Sequence, residues 1–342
     1  MRVLGTVRPG LLLLLLMLQS CGGGAKSTSD HPQTPAASAT PPTIARSSAS
    51  PEPSTAARTP PQPTAPGADD RPPCGTAGAP PAHYEHVIWI WMENHNETAI
   101  LNSQQAPYFN RLVHECATAS PYAMVGSPSL PNYIGATAGS TFGIKDDANP
   151  KSHPLQTDNL YRQVRSTGRT AKSYEESMPA NCSLVGSGRY AVKHNPQAYF
   201  ADADDRSACE RDNVPLGDIS QGELANDLAR DTLPAFSFIT PDLCNDTHDC
   251  PVATGDTWLA QWIPVILASR AYMAGTTAVM VVYDEPTPMP NVFIAPSVVP
   301  GAIASGSFSH YALLRATEEM LGIAVFLGAA DSSPGLRDAV HF

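Results

Sequence analysis

The chain has 342 residues, of which 42% are hydrophobic, and a formal net charge of −11. This acidic balance argues against a nucleic acid as partner, because the sequence shows no basic stripe and no interleaving of basic and aromatic residues. No internal repeat is visible, so we use local changes in composition to divide the chain into segments.

The first 20 residues have the pattern of an export signal. Arg2 and Arg8 precede a leucine run at residues 11–16, which is too short to cross a bilayer as a helix of about 20 residues. Leu-Gln-Ser-Cys follows, so we expect a lipoprotein signal peptide with Cys21 as the lipidated residue; a cleaved signal that leaves a free cysteine is the alternative. The predicted location is the outer face of a bacterial membrane, through a lipid anchor, or the exterior after secretion.

Residues 21–82 are predicted to form a disordered tether. Pro, Ser, Thr, Ala and Gly dominate this segment, and it cannot bury enough apolar surface to offset the entropy of ordering. Residues 83–342 remain for one domain with a substantial core.

Besides Cys21, the chain has six cysteines. An even number behind an export signal indicates disulfides rather than a metal site. Six cysteines allow fifteen pairings, and sequence proximity alone favours three bonds, Cys74–Cys116, Cys182–Cys209 and Cys244–Cys250.

The run SPSLPNYIGATAGS at residues 127–140 predicts a helix with Pro131 in its first turn. Ser129 then lies at the helix N-terminus, where backbone N–H groups and the helix dipole favour an anion. A serine at this position is also a common N-cap, and spacing alone does not decide between the two roles.

Three short apolar segments, at 86–92, 234–240 and 276–283, have the pattern of strands buried on both faces. Each leads into acidic residues. These residues are Glu93 after the first strand, Asp242 after the second, and Asp284 and Glu285 after the third.

Helical patterns at 155–167, 256–270 and 308–322 alternate with the strands. This alternation predicts an α/β fold with a mostly parallel central sheet and helices on both faces. Ligands of such sheets bind at the edge formed by the carboxyl ends of the strands. We therefore expect the four carboxylates to converge there and to need a cation that keeps them ionised.

Two further segments offer ligands. Asn245, Asp246 and His248 lie in the short stretch between Cys244 and Cys250, and His310 precedes an amphipathic helix. A histidine at a helix start can equally be a cap or a surface residue.

Six motifs carry a resemblance to a known family: MEN at 92–94, SPSLPNY at 127–133, KHNP at 193–196, NDTHD at 245–249, YDE at 283–285 and SHY at 309–311. In this order they resemble the bacterial phosphoesterase family, which contains secreted acid phosphatases and phospholipases C. That family belongs to the alkaline phosphatase superfamily. The resemblance therefore implies an alkaline-phosphatase-like fold.

The resemblance also implies roles for individual residues. Ser129 would be the nucleophile, and Asn132 would contact a phosphoryl oxygen. Lys193 and His194 would bind the substrate phosphate or contact a metal. The implied metal ligands are Glu93, Asn94, Asp284 and Glu285 for a first ion, and Asp242, Asp246, His248 and His310 for a second. Position 246 is Asp where two-zinc relatives usually have His, so one or two divalent ions are expected; carboxylates favour Mg²⁺, Ca²⁺ or Mn²⁺, and imidazoles favour Zn²⁺ or Fe.

The expected function is hydrolysis of phosphate monoesters, either small molecules or phosphoinositides, through a phosphoserine intermediate. Membrane contact is expected only through the lipid anchor. A phospholipase C-type diesterase is the alternative among enzymes, and a Ca²⁺-binding surface lipoprotein is the alternative without catalysis. A serine esterase would need a Gly-x-Ser-x-Gly elbow, which the chain lacks, and Tyr133 stands where a sulfatase would have Arg.

Overall fold

A computed structural model describes residues 71–342. The predicted signal peptide, Cys21 and most of the predicted tether lie outside the described residues. Residues 71–82 belong to the folded region, since Cys74 is buried and the Ala77 N–H donates to Pro296 O at 2.8 Å. The folded region therefore includes residues that precede the predicted boundary at residue 83.

A six-stranded sheet lies at the centre of the described region. The strands between residues 71 and 342 are β1 (His86–Met92), β2 (Thr118–Ala119), β3 (Tyr122–Ala123), β4 (Ala171–Glu175), β5 (Asn213–Pro215), β6 (Phe236–Thr240), β7 (Thr277–Tyr283), β8 (Asn291–Ile294), β9 (Ile303–Ala304) and β10 (Phe308–Ser309). The central sheet has the order β5-β4-β6-β1-β7-β8, and all neighbours in it are parallel except β7 and β8. The mostly parallel sheet predicted from the sequence is confirmed. The other four strands form two short parallel pairs, β2 with β9 and β3 with β10.

Helices connect the strands. Those described between residues 71 and 342 are α1 (Glu97–Ile100), α2 (Pro107–Glu115), α3 (Ser129–Ala138), α4 (Leu160–Ser166), α5 (Ala203–Asp212), α6 (Glu223–Arg230), α7 (Val252–Leu267), α8 (Arg270–Met273), α9 (His310–Met320) and α10 (Leu336–Ala339), with 3₁₀ turns at Val192–His194, Pro196–Tyr199 and Gly328–Ala330. Helix α4 is shorter than its predicted segment because the Asn159 side chain caps it, accepting from Arg162 N at 2.9 Å.

Strand β1 shows why the apolar runs form the centre of the sheet. It lies between β6 and β7, and its residues from Val87 to Met92 are all buried. Trp89 packs on Phe236 at a ring distance of 5.0 Å and donates through Nε1 to Thr317 Oγ1 of α9 at 3.0 Å. Because both faces of the strand are covered, its sequence is apolar throughout rather than alternating.

Helix α3 is buried along its whole length, which explains its small residues. It begins at Ser129 and ends at Gly139, which adopts a left-handed φ of 69° and donates to Gly135 O at 2.8 Å. A Cβ on Gly139 would lie 2.1 Å from Leu327 O. This close approach fixes the helix and places Ser129 at its N-terminal end.

The three disulfides expected from proximity, Cys74–Cys116, Cys182–Cys209 and Cys244–Cys250, are formed in the structure. The last closes a ring across only six positions and holds the segment that follows β6. None of the helices between residues 71 and 342 combines the length and the apolar character needed to cross a bilayer.

Candidate active site

The carboxyl ends of β1 and β7 bring together the first group of predicted site residues. Met92 pairs with Tyr283 in the sheet, so Glu93 and Asp284 follow at the same level. Asn94 has a left-handed φ of 57°, and its backbone N–H donates to Asp284 Oδ1 at 2.9 Å. The Ser129 hydroxyl donates to Glu93 Oε2 at 3.1 Å. The N-terminus of α3 therefore meets the sheet edge where the sequence places it.

His194 lies between two buried carboxylates. Its Nε2 is 3.3 Å from Glu93 Oε1, and its Nδ1 is 3.3 Å from Asp246 Oδ2. The Tyr133 hydroxyl also donates to Glu93 Oε1, and the Tyr133 ring stacks on the His194 ring at 5.2 Å. His194, predicted to contact phosphate or a metal, is buried within the acidic cluster.

Burial opposes negative charge at this cluster. It raises the pKa of Asp284 to about 7 and the pKa of Asp246 to about 8. The pKa of Glu93 is raised well above its usual range, first by burial and then by repulsion from Asp284 and Asp246. Burial also lowers the pKa of His194, so this imidazole supplies no positive charge. Without a cation, the carboxyl groups of the cluster therefore retain protons near neutral pH.

The same cluster contains unsatisfied polar atoms. Among the described residues, Asp246 Oδ2, Asp284 Oδ2 and His194 Nε2 are buried without a hydrogen-bond partner. Ligand atoms of Glu93, His194 and His248 lie within 4.8 Å of one another. Unpaired buried acceptors beside crowded carboxylates are costly alone and suit a bound cation.

A second group lies at the more exposed side of this cluster. Lys193 Nζ is 3.3 Å from His248 Nε2 and donates to Asp147 Oδ2 at 3.1 Å. Glu285 is half-buried; burial raises its pKa, and a hydrogen bond from Ser127 opposes that rise. Ser127 thus contacts a carboxylate different from the one that Ser129 contacts.

Two predicted metal ligands are engaged elsewhere. Asp242 accepts from Ser177 Oγ at 2.8 Å and from the Cys244 N–H at 3.1 Å, and so closes the turn after β6. His310 Nε2 lies 2.8 Å from the backbone oxygen of Asp284, and Nδ1 is 3.4 Å from the Tyr122 hydroxyl. In this arrangement both side chains make hydrogen bonds within the protein, and their role as metal ligands stays a prediction.

Asn132 also has a different setting from the one expected. Its Oδ1 accepts from the N–H groups of Val125 and Gly126 at 2.9 and 3.0 Å, and its Nδ2 donates to Gly126 O at 3.0 Å. The side chain therefore stabilises the loop that leads into Ser129. In this structure its amide is occupied by the backbone.

Sequence reasoning missed Tyr133 and Asp147. Tyr133 lies four positions after Ser129, so the two share one face of α3, a relation that helical spacing could have revealed. Asp147 lies in the loop between α3 and α4, where no periodic pattern marks it. Only the fold brings it to Lys193.

Comparison with known proteins agrees with the geometry of the site. A profile of the Phosphoesterase family matches residues 87–288. A phosphatidylinositol-3-phosphatase of Mycobacterium tuberculosis is 30% identical over 275 residues, which cover 78% of this chain and 86% of that protein. A phosphate-repressible acid phosphatase of Penicillium chrysogenum is 26% identical over 59% of this chain, and the match spans 48% of the fungal protein.

Among solved structures, a protein in the alkaline phosphatase superfamily from Vibrio parahaemolyticus has a TM-score of 0.50 at 11% identity, with coverage of 78% of this chain and 73% of that one. At this identity the likeness shows a shared fold. The alkaline-phosphatase-like α/β architecture expected from the motifs is confirmed.

Proposed function

Because this chain belongs to the phosphoesterase family, whose members hydrolyse phosphate esters, we propose that it is a metal-dependent phosphomonoesterase with Ser129 as the nucleophile. The observation that carries the proposal is the position of the Ser129 hydroxyl. It lies at the N-terminus of a buried helix and donates to Glu93 Oε2 at 3.1 Å, beside the unpaired oxygens of Asp246 and Asp284.

The residues present fit a divalent ion. Three buried carboxylates repel one another, and two of them, with His194, keep a polar atom without a partner. We assign the ion to Glu93, His194 and His248, whose ligand atoms lie within 4.8 Å of one another, with Asp246, Asp284, Asn94 and Glu285 at its margin. Such an ion supplies positive charge to the phosphate and lowers the pKa of the serine hydroxyl. Metal analysis of the purified protein would identify it, since carboxylates suit Mg²⁺, Ca²⁺ or Mn²⁺ and imidazoles suit Zn²⁺ or Fe.

The chain's own groups supply the remaining chemistry. Glu93 orients the Ser129 hydroxyl and accepts its proton as Oγ attacks phosphorus. The phosphorus–oxygen bond to the leaving group breaks, the leaving alkoxide takes a proton from a water molecule, and Ser129 carries the phosphoryl group. The hydroxide so formed attacks phosphorus, the bond to Oγ breaks, inorganic phosphate leaves, and Glu93 returns its proton to Ser129 Oγ. The positive end of the α3 dipole faces the phosphate throughout.

Lys193 favours a monoester over a diester. A terminal phosphate carries two negative charges, and the ammonium group near the helix N-terminus stabilises the second. We therefore propose small phosphate monoesters or phosphoinositides as substrates, in agreement with the names of the relatives. The proposed location is outside the cytoplasm, with a lipid anchor at Cys21 or as a secreted protein.

The decisive experiment compares Ser129→Ala with Ser127→Ala. We expect Ser129→Ala to lower kcat for p-nitrophenyl phosphate by about three orders of magnitude or more, because it removes the nucleophile, whereas Ser127→Ala keeps most activity. Acid quenching with a ³²P-labelled monoester should label a peptide that contains Ser129. Equal residual activity in the two variants would contradict the assignment, and a preference for bis-p-nitrophenyl phosphate by kcat/KM would favour the phospholipase C-type alternative.

A further inference from the structure

Asp147 connects the two parts of the candidate active site that must act on the same phosphate. Its Oδ1 accepts from the Leu130 N–H at 3.0 Å, and its Oδ2 accepts from Lys193 Nζ at 3.1 Å. Leu130 directly follows Ser129 in the first turn of α3. The Asp147 carboxylate therefore contacts both the helix that carries Ser129 and the ammonium group of Lys193, which the proposed function places beside the phosphate.

The backbone around Asp147 is held in place. The Tyr199 hydroxyl donates to Ala148 O at 2.9 Å, and Tyr199 is buried in the 3₁₀ turn that closely follows Lys193 in the chain. The loop and the Lys193 segment are thereby linked at two points. Asp147 is not free to follow a moving lysine.

Lysine needs such a partner more than arginine does. Its ammonium group ends a flexible four-carbon side chain with many rotamers. The Lys193 side chain is 21% exposed, so it has room on the solvent side to adopt other rotamers. The imidazole of His248, at 3.3 Å, is a neighbour without a fixed negative charge. Glu285 and Glu93 also feel the charge of Lys193, but in the part of the chain that the structure describes Asp147 is the carboxylate in direct ion-pair contact with the ammonium group, at 3.1 Å.

We propose that Asp147 is a positioning residue that fixes Lys193 beside Ser129 and so sets the preference for dianionic phosphate. This inference rests on the proposed function, and it assigns Asp147 no contact with the reacting atoms. A lysine held in one position mainly stabilises the second negative charge of the phosphate, which only a monoester carries. Loss of the partner should therefore weaken phosphate binding more than turnover.

The test compares Asp147→Asn with Asp146→Asn. Asp146 is the adjacent acid; it is mostly exposed and pairs with His153, so its substitution makes the same charge change without touching Lys193. For Asp147→Asn we expect the inhibition constant of inorganic phosphate and the KM for p-nitrophenyl phosphate to rise about tenfold, with kcat within about threefold. The kcat/KM for bis-p-nitrophenyl phosphate should change less than about twofold, and Asp146→Asn should match the unmodified protein in all of these measurements.

A double-mutant cycle separates positioning from a general loss of structure. In a Lys193→Met background, Asp147→Asn should have no further effect on the phosphate inhibition constant, because the lysine that it positions is gone. Asp147→Glu keeps the charge and should restore most of the phosphate affinity. This variant also provides the measurement if Asp147→Asn folds poorly.

Four results would overturn the proposal. They are an Asp147→Asn variant that behaves like Asp146→Asn, losses that multiply in the double mutant, equal effects on monoester and diester, and a Glu variant that binds phosphate as weakly as the Asn variant. Ser129→Ala measured alongside keeps the two hypotheses apart. If Ser129→Ala stays active, the proposed function fails; if it is inactive while Asp147→Asn matches its control, only the role of Asp147 fails.

Discussion

Glu93 shows how one side chain at this site depends on several others. Its Oε2 accepts from Ser129 and its Oε1 from Tyr133, while Thr247 Oγ1 donates to its backbone oxygen at 2.9 Å. Groups that hold a ligand in this way orient it and tune its affinity for metal. The same carboxylate is thus the centre of a hydrogen-bond network, and we propose it both as a metal ligand and as the base.

Removal of the Tyr133 hydroxyl tests this network. We expect Tyr133→Phe to weaken binding of Mn²⁺ or Zn²⁺ about tenfold, because Glu93 Oε1 loses a donor while the ring still packs on His194. Isothermal titration of the metal-free protein measures the affinity. Tyr161→Phe is the matched control, since Tyr161 is equally buried and its hydroxyl contacts Ser173 Oγ at 2.9 Å, outside the site. Equal metal affinities of the two variants would contradict a role for Tyr133.

At the scale of elements, α7 packs tightly against the disulfide-closed segment that contains Asp246. A Cβ on Gly255 would lie 2.4 Å from Thr247 Cγ2 and 2.9 Å from Asn245 O. Thr247 itself has a left-handed φ of 80°. Since backbone cannot yield as a flexible side chain does, a methyl group here must move the segment or the helix.

We therefore expect Gly255→Ala to lower both metal content and kcat/KM and to destabilise the protein by about 1 to 3 kcal/mol, as overpacking does. Gly335→Ala is the control, because a Cβ at that position meets nothing within 4 Å. Thermal unfolding and metal analysis of both variants measure the effect. A Gly255→Ala protein with normal metal content and activity would show that the segment tolerates the shift.

At the scale of the whole molecule, the sequence predicts those parts of the fold and of the site that the central sheet positions. Glu93 and Asp284 converge because buried parallel strands have recognisable apolar runs and their ends meet at one edge. Asp242 also follows such a strand, yet its Oδ1 accepts from the Cys244 N–H in the turn and its Oδ2 accepts from Ser177, which follows β4. The roles of His194 and Asp147 depend on contacts between distant segments, which no local pattern encodes.

The buried carboxylates make the stability of the whole molecule depend on pH and metal together. Asp284 and Asp246 have pKa values of about 7 and about 8 in the folded protein, against about 4 in an unfolded chain. The folded state therefore binds these protons more tightly, so their stabilising contribution is complete at low pH and is lost as the pH rises through 7 and 8. His310, whose pKa burial lowers to about 4, acts in the opposite sense, but only below about pH 6.5, where the unfolded chain takes up that proton.

The range from pH 6.5 to 8.5 therefore isolates the carboxylates. We expect the Tm of chelator-treated protein to fall by several degrees across this range, and we expect a saturating divalent ion to reduce the fall, because the ion stabilises the ionised site. Two buried carboxyl groups outside the cluster also have raised pKa values: burial raises the pKa of Glu318, which accepts from the Leu327 N–H at 2.9 Å, to about 8, and it raises the pKa of Glu175 well above the usual range. Their share of the fall should persist with metal, and the part due to Glu318 should disappear in Glu318→Gln. Differential scanning calorimetry at fixed ionic strength measures each case, and a Tm that stays level without metal, or a fall that metal leaves unchanged, would show that the acidic cluster does not hold the ion.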